Sequence, residues 1–306
     1  MSDLNRFIDE YLATRRALGF TLEREARLLP DFAEFLHAAG TVTVTTEMAL
    51  QWATAPQGTH RNWHSARLGI VRVFARWLAV FDPDAQVPPA DLLPSVGQRA
   101  EPYPFSDADI EALLHATSTI RTPLKAATYE TLLGLLVVTG MRVGEAIRLD
   151  RADVDWDNAT LTVVNTKFGK SRRLPLHPTT MAALDRYRSR RDRCCPHPAT
   201  QAMFVSTAGT RLLYANVHQT WLNLIGIVGL EPLTPRCRPR IHDLRHRFAV
   251  TTLIGWYRDG GTVEAQLPAL SAYLGHRSPG DTYWYLHAAP ELLTLAAHRL
   301  RSVGGE

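Results

Sequence analysis

"VDWDNATLTVVNTKFGKSRRLPL", from Val154 to Leu176, is where the apolar period of this chain changes. In "VDWDNATLTVV" and in "SRRLPL" apolar and polar residues alternate, the pattern of strands with one buried face. "NTKFGK" between them has the asparagine and glycine of a tight turn. The stretch therefore reads as two antiparallel strands joined by a hairpin. On both sides of it, apolar residues recur every three to four positions, which is the period of helices. The expected fold is mainly α with a small antiparallel β-sheet.

Working outward toward the N-terminus, Leu4, Phe7, Ile8, Tyr11 and Leu12 share one helical face, and Gly19 closes that segment. A second helix directs Leu28, Leu29, Phe32, Phe35 and Leu36 inward and stops at Gly40. "TTEMALQWATA" starts a short third one. In the fourth, Trp63, Ile70, Val73, Phe74, Trp77 and Leu78 form a stripe. Its other side carries Arg61, His64, Arg67, Arg72 and Arg76, with no acid between His60 and Phe81. That side is either a solvated face or one that tracks phosphates. Six prolines then fall within "DPDAQVPPADLLPSVGQRAEPYPFSDADI", too many for a regular helix. The division expected is an all-helical first region (1–86), a linker (87–104) and a second region (105–306) whose first helix is capped by Ser106.

A chain of 306 residues is long for one core and comfortable for two domains. No apolar run approaches the roughly 20 residues of a membrane span. The opening "MSDLNRFIDEYL" is acidic and amphipathic, unlike a secretory signal, so the expected location is the cytoplasm. Cys194, Cys195 and Cys237 make no disulfide framework, and "CCPH" lacks the spaced ligand pairs of a zinc site. The net charge is +4, yet residues 99–306 hold 25 basic and 19 acidic groups against 9 and 11 in residues 1–98. Thirty-one of the basic residues are arginine and only Lys125, Lys167 and Lys170 are lysine.

Five short signals in the second region carry chemistry. "TGMRVGEAIRL" sets Arg142 and Glu145 three residues apart at a helix start, where a guanidinium held by a carboxylate can bind an anion. An ordinary surface ion pair has the same spacing. Lys167 and Lys170 lie in the hairpin turn, as proton donors to a leaving oxygen or as solvated turn residues. "HDLRHRF" places His242 and Arg245 on one helical face. The same His-x-x-Arg spacing recurs at His64 and His298, so only its basic approach "RCRPRIHDLRHR" sets this copy apart. His276 follows a glycine in "LSAYLGHRSPG", as a site residue or a cap. "GDTYWYLHAAP" then presents Tyr283, Trp284 and Tyr285, which core packing also explains.

Taken in order, Arg, Lys, His-x-x-Arg, His and Tyr in "TGMRVGEAIRL", "TKFGKSRRLPL", "HDLRHRFA", "LGHRS" and "YWYLHAAPELL" resemble the tyrosine recombinase (phage integrase) family. "YLATRRALGF", "LLPDFAEFLHAAG" and "WHSARLGIVRVFARWL" are similar to the helical core-binding domain of its transposon- and plasmid-borne branch. The resemblance implies a two-domain architecture, with residues 1–86 as the core-binding domain and 105–306 as the α+β catalytic domain, forming a C-shaped clamp on DNA. It implies that Arg142 and Arg245 grip the scissile phosphate, that Glu145 orients Arg142, and that Lys167, eight positions before Pro175, protonates the departing 5′ oxygen, with Lys170 as runner-up. His242 and His276 would donate hydrogen bonds or assist proton transfer. The nucleophile, nine positions after His276, would be Tyr285. Further contacts to DNA would come from Arg61, His64, Arg67, Arg72, Arg76, Lys170, Arg172, Arg238 and Arg240.

Such a site needs no metal, because fixed cationic donors can stabilise the charge that builds on the phosphate oxygens. A phosphotyrosine link keeps the ester's energy, so no ATP is called for, and no phosphate-binding loop of the G-x-x-x-x-G-K type occurs. The expected partners are a double-stranded recombination site and other copies of the chain in a tetramer, with "PELLTLAAHRL" packing on its own chain or on a neighbour. A non-catalytic DNA-binding protein of the same fold and a relaxing type IB topoisomerase stay open as alternatives. Integration, excision, transposition and replicon resolution all use this chemistry.

Overall fold

The structure is a computed structural model and describes residues 3–41, 43–59, 61–93, 100–165, 170–259, 263–276, 280, 282 and 283. The chain divides into two compact units, residues 1–99 and 100–306.

The first unit holds four helices, α1 (Asp3–Ala17), α2 (Glu23–Ala38), α3 (Thr46–Thr54) and α4 (Arg61–Leu78). Leu4, Ile8, Tyr11 and Leu12 of α1 are buried against Leu28, Leu29, Phe32 and Leu36 of α2 in one core cluster. Thr45 caps α3 by accepting the Met48 N–H at 3.2 Å, a bond that satisfies one of the orphan donors of a helix start. In α4 the inward stripe runs through Arg67, Val71, Phe74 and Leu78, a regular four-three-four spacing. Val73, expected inside, sits off that stripe and is 44% exposed.

Arg67 also departs from the expected cationic face, because its position falls on the apolar stripe. Its guanidinium lies 3.6 Å from the centre of the Trp52 ring and donates to the Trp52 carbonyl at 3.0 Å. Asp31 stands 3.5 Å away and accepts the Trp52 indole N–H. Arg67 therefore staples α3 to α4. Arg72 donates to the carbonyls of Pro88 and Pro89, both at 2.8 Å, and anchors the proline segment that follows. The His64 ring nitrogen Nε2 lies 2.8 Å from Thr59 Oγ1 and 3.1 Å from the Pro56 carbonyl. Arg61 and Arg76 remain exposed.

The second unit contains α5 (Asp107–Ala116), α6 (Pro123–Thr139), α7 (Val143–Arg148), strands β1 (Val154–Asp155), β2 (Thr160–Asn165) and β3 (Lys170–Pro175), then α8 (Pro178–Cys194), α9 (Tyr214–Val228), α10 (Asp243–Arg258) and α11 (Val263–Leu274). Ser106 caps α5 as expected, exchanging hydrogen bonds with Asp109 in both directions. The three strands form one antiparallel sheet in the order β1-β2-β3. "VDWDNATLTVV" is thus two strands rather than one. Asp155 accepts the Asn158 backbone and side-chain N–H groups at 3.0 and 2.9 Å, a local turn that breaks the extended run.

Along the hairpin, Leu161, Val163 and Leu174 face the core while Val164 and Arg173 face out. Arg172 stands opposite Val163, on the same inward face as Leu174. α8 buries Leu184, Tyr187 and Arg191. The sequence of "DRYRSRRDRCC" (185–195) reads either as a phosphate-contacting run or as a solvated helix end, but its Arg191 is completely buried and donates to the carbonyls of Ala202 and Met203. α10 and α11 close the described part of the unit through Ala249, Leu253, Val263, Leu267, Leu270 and Leu274.

The staple in the first unit gives a direct test. Arg67→Ala should lower the unfolding free energy by about 2–3 kcal/mol, since it removes a cation–π contact and a buried hydrogen bond. Arg76→Ala, on the exposed side, should change it by less than about 0.5 kcal/mol. Urea denaturation followed by tryptophan fluorescence reads both, and equal effects would contradict the staple.

Candidate active site

α6 ends at Gly140, whose φ of +59° turns the chain sharply toward α7. A Cβ at this position would come within 2.4 Å of the Phe248 ring on α10, so the backbones can approach only because none is present. Two residues later, Arg142 stands at the start of α7. The Glu145 carboxylate accepts the Arg142 backbone N–H at 2.8 Å and its Nη1 at 2.9 Å. Arg142 Nη2 lies 3.4 Å from the Gly275 carbonyl, and 40% of the side chain stays exposed.

Glu145 also receives Arg172 from β3, with Nη2 to Oε2 at 2.8 Å and Nη1 to Oε1 at 3.3 Å. Burial by itself pushes this carboxyl up. The hydrogen bonds from Arg172 and the Arg142 amide, then the charge of Arg172 and the Arg142 side chain, outweigh burial and bring its pKa down to about 2. Glu145 is therefore ionised at any ordinary pH.

Arg245 comes from the first turn of α10 and is 2% exposed. It donates to the Gly140 carbonyl at 2.9 Å and to the Leu274 carbonyl at 2.7 Å. The ends of α6 and α11 are thus bound to one guanidinium. His276 follows two residues after Leu274, where Nδ1 meets Thr282 Oγ1 at 2.7 Å. His242 precedes Arg245 by one turn and is exposed to solvent. The protein packed around its ring lowers its pKa first, then the Arg245 charge; Asp243 opposes them, and Arg142 and Arg240 add smaller lowering effects. A neutral imidazole is thereby favoured, able to donate from one nitrogen and accept at the other.

The structure brings together Arg142, Glu145, Arg245 and the segment bearing His276, with His242 beside them. Lys167 and Tyr285 lie outside the described residues, as do Trp284 and His287 and the "PELLTLAAHRL" segment. Lys170 opens β3, paired with Asn165. Tyr283 is described and is 48% exposed. Of the further cations, Arg240 is bound by buried Asp243 at 2.7 Å, and Arg238 is exposed, with Nε on the Pro235 carbonyl at 3.2 Å. Arg172, read from the sequence as a DNA contact, spends its donors on Glu145 and on the Tyr273 carbonyl at 2.7 Å. Strand alternation with Leu174 was the available signal for its inward direction. Thr282 is 1% exposed beneath His276, and no motif marks it.

The profile of the phage integrase family matches residues 105–291, which span this whole constellation. A Sinorhizobium fredii protein named as an integrase/recombinase, y4rB, is 45% identical over 306 residues, covering 98% of each chain. The chain belongs to the phage integrase family. It is accordingly a tyrosine-type, site-specific recombinase.

Solved structures share the fold of this integrase. The Tn1549 transposon integrase in complex with transposon right end DNA superposes with a TM-score of 0.66 at 17% identity, over 98% of this chain and 100% of that one. The XerH site-specific recombinase bound to a palindromic difH substrate gives 0.62 at 20% identity, over 88% and 77%. No described helix is long and apolar enough to cross a membrane.

The depressed Glu145 pKa has a defined consequence for stability. Its folded value of about 2 lies below the ordinary 4.5, so the stabilisation is fully present above about pH 4.5 and drains as pH falls toward 2. The shift corresponds to roughly 3 kcal/mol for this nearly inaccessible group. Urea unfolding measured from pH 7 to pH 2 should show that loss in the parent protein. Glu145→Gln should be less stable at neutral pH and should lose this part of the pH dependence; unchanged curves would refute the assignment.

Proposed function

We propose that this recombinase cuts and rejoins DNA through a covalent 3′-phosphotyrosine on Tyr285. The observation that carries the proposal is the convergence of Arg142, Arg245 and the His276 segment, cross-tied by hydrogen bonds to the carbonyls of Gly140, Leu274 and Gly275. Attack by the phenolic oxygen forms a bond to phosphorus and breaks the bond to the 5′ oxygen. Charge concentrates on the non-bridging oxygens, where the two guanidiniums can stabilise it. A phenol of ordinary pKa near 10 is a weak nucleophile at neutral pH, and the surrounding cations favour phenolate as it forms.

Lys167 gives a proton to the departing 5′ oxygen. His242, biased toward the neutral form, and His276 serve as hydrogen-bond partners to the phosphate or pass the phenolic proton. In the reverse direction a 5′-hydroxyl of another strand attacks the phosphotyrosine, so neither ATP nor a metal enters the balance. Residues 1–86 act as the core-binding arm, and Arg61 and Arg76 of α4, both exposed, would supply contacts to the DNA backbone. The family's coupled strand exchange calls for a tetramer on duplex DNA, and the similarity to y4rB and to a transposon integrase supports movement of a mobile element.

A nicked suicide duplex built from the DNA flanking the gene tests the proposal. The parent protein should form a denaturation-resistant adduct, also in the presence of EDTA. Tyr285→Phe should abolish the adduct while Tyr283→Phe retains it. An adduct that persists in Tyr285→Phe would sink the nucleophile assignment.

A further inference from the structure

We infer that Arg172 is a positioning residue that clamps the Glu145 carboxylate from β3 and so fixes the direction in which Arg142 points. The inference rests on the reading of Arg142 as a phosphate ligand and extends it to the group that holds that ligand in place. Arg172 meets both Glu145 oxygens, Nη1 to Oε1 at 3.3 Å and Nη2 to Oε2 at 2.8 Å, and places Nε on the Tyr273 carbonyl at 2.7 Å. A fork of this kind fixes a carboxylate in plane and direction, which a single-point lysine cannot do.

Space around the guanidinium is as restrictive as its bonds. The Arg172 side chain is 13% exposed and that of Glu145 only 4%. Gly275, with φ of +67°, lies so close that a Cβ there would stand 2.8 Å from Arg172 Nη1. Three pieces of chain meet on this guanidinium: β3, which follows the lysine-bearing turn, α7 through Glu145, and the end of α11 just before His276. Arg172 thereby joins β3 to the helix that starts at Arg142 and to the end of α11 that leads into His276.

The charged groups on Glu145, among the described residues, are Arg142 at the start of its own helix and Arg172 from β3. α11 contributes the Tyr273 carbonyl on the other side of Arg172, and then His276, whose ring meets Thr282. From α10, Arg245 reaches the carbonyls of Gly140 and Leu274 instead. Loss of Arg172 leaves the carboxylate with one cation, and its pKa should rise.

The test compares the parent protein, Arg172→Ala and Arg172→Lys on the same suicide duplex. Arg172→Ala should bind DNA within about twofold of the parent, with the same dependence of affinity on salt, whereas a lost phosphate contact reduces that slope by about one. Adduct formation should slow by about 100-fold, the scale of a misplaced catalytic group. The acid limb of its pH–rate profile should move to higher pH, while a general loss of structure would lower the rate equally at every pH. Arg172→Lys should keep the acid limb near its original place with a partial rate, and it carries the test if the alanine variant does not fold.

A ¹³C-carboxyl NMR titration, with Glu145→Gln for assignment, reads the clamp without any cleavage. Glu145 should titrate at higher pH in Arg172→Ala than in the parent. An unmoved Glu145 titration, an unchanged cleavage rate, or weakened binding with a shallower salt slope would each overturn the inference. A parent protein that forms no adduct overturns the reading of Arg142 instead, and the NMR titration still decides the clamp.

Discussion

The Glu145 carboxylate, buried between two guanidiniums, is the interaction on which the arrangement of the site depends. A carboxylate in a low-dielectric setting is costly unless it is paired and fully hydrogen-bonded. Glu145 meets that condition with Arg142 on one side and Arg172 on the other, plus the Arg142 amide. Because the pair spans α7 and β3, neither element can shift without stranding a buried charge. Arg142 is thereby tied through Glu145 to a strand that precedes α10 and α11 in the chain.

Arginine serves this protein as a staple between elements. Arg67 ties α3 to α4, Arg191 holds the Ala202 and Met203 carbonyls, and Arg245 joins Gly140 to Leu274. Arg67 and Arg245 meet carbonyls in the last turns or just past the ends of helices, where backbone acceptors lack partners of their own, and Arg191 meets two carbonyls of the loop after α8. A lysine could meet one such acceptor with a mobile point charge. A chain with 31 arginines and three lysines can thus place several cations inside its two units. The two glycines at the site complete the same logic: Gly140 lets α6 touch Phe248 and Gly275 lets α11 touch Arg172.

Much of the fold was legible along the chain because local periodicity reports which face is buried. The helices of the first unit, the Ser106 cap and the β2–β3 hairpin all follow from spacing and turn chemistry. The alternation in "VDWDNATLTVV" does not show its split into two strands, since the Asp155–Asn158 turn depends on side-chain hydrogen bonds that leave no mark on the pattern. Val73 was misplaced because adjacent positions on a helix lie about 100° apart and a stripe can be centred on either flank. In the site, the residues that bear chemistry stand out by type and order. Arg172 and Thr282, which meet them, do so by contacts across 27 and six positions.

By itself, the sequence determined the class of fold, the family resemblance and the identity of the groups at Arg142, Glu145, His242, Arg245 and His276. These are properties of residue type, order and short-range period, and they are written one position after another. Only the tertiary structure decided which arginines are turned inward and which elements they join. Arg67 and Arg172 read along the chain as contacts to DNA, and Arg191 as a phosphate contact or a solvated residue, yet each is turned inward to a carbonyl or a carboxylate. The physical reason is that a guanidinium's role is set by the nearest acceptors, and here those acceptors come from other helices, strands and loops that only folding brings near.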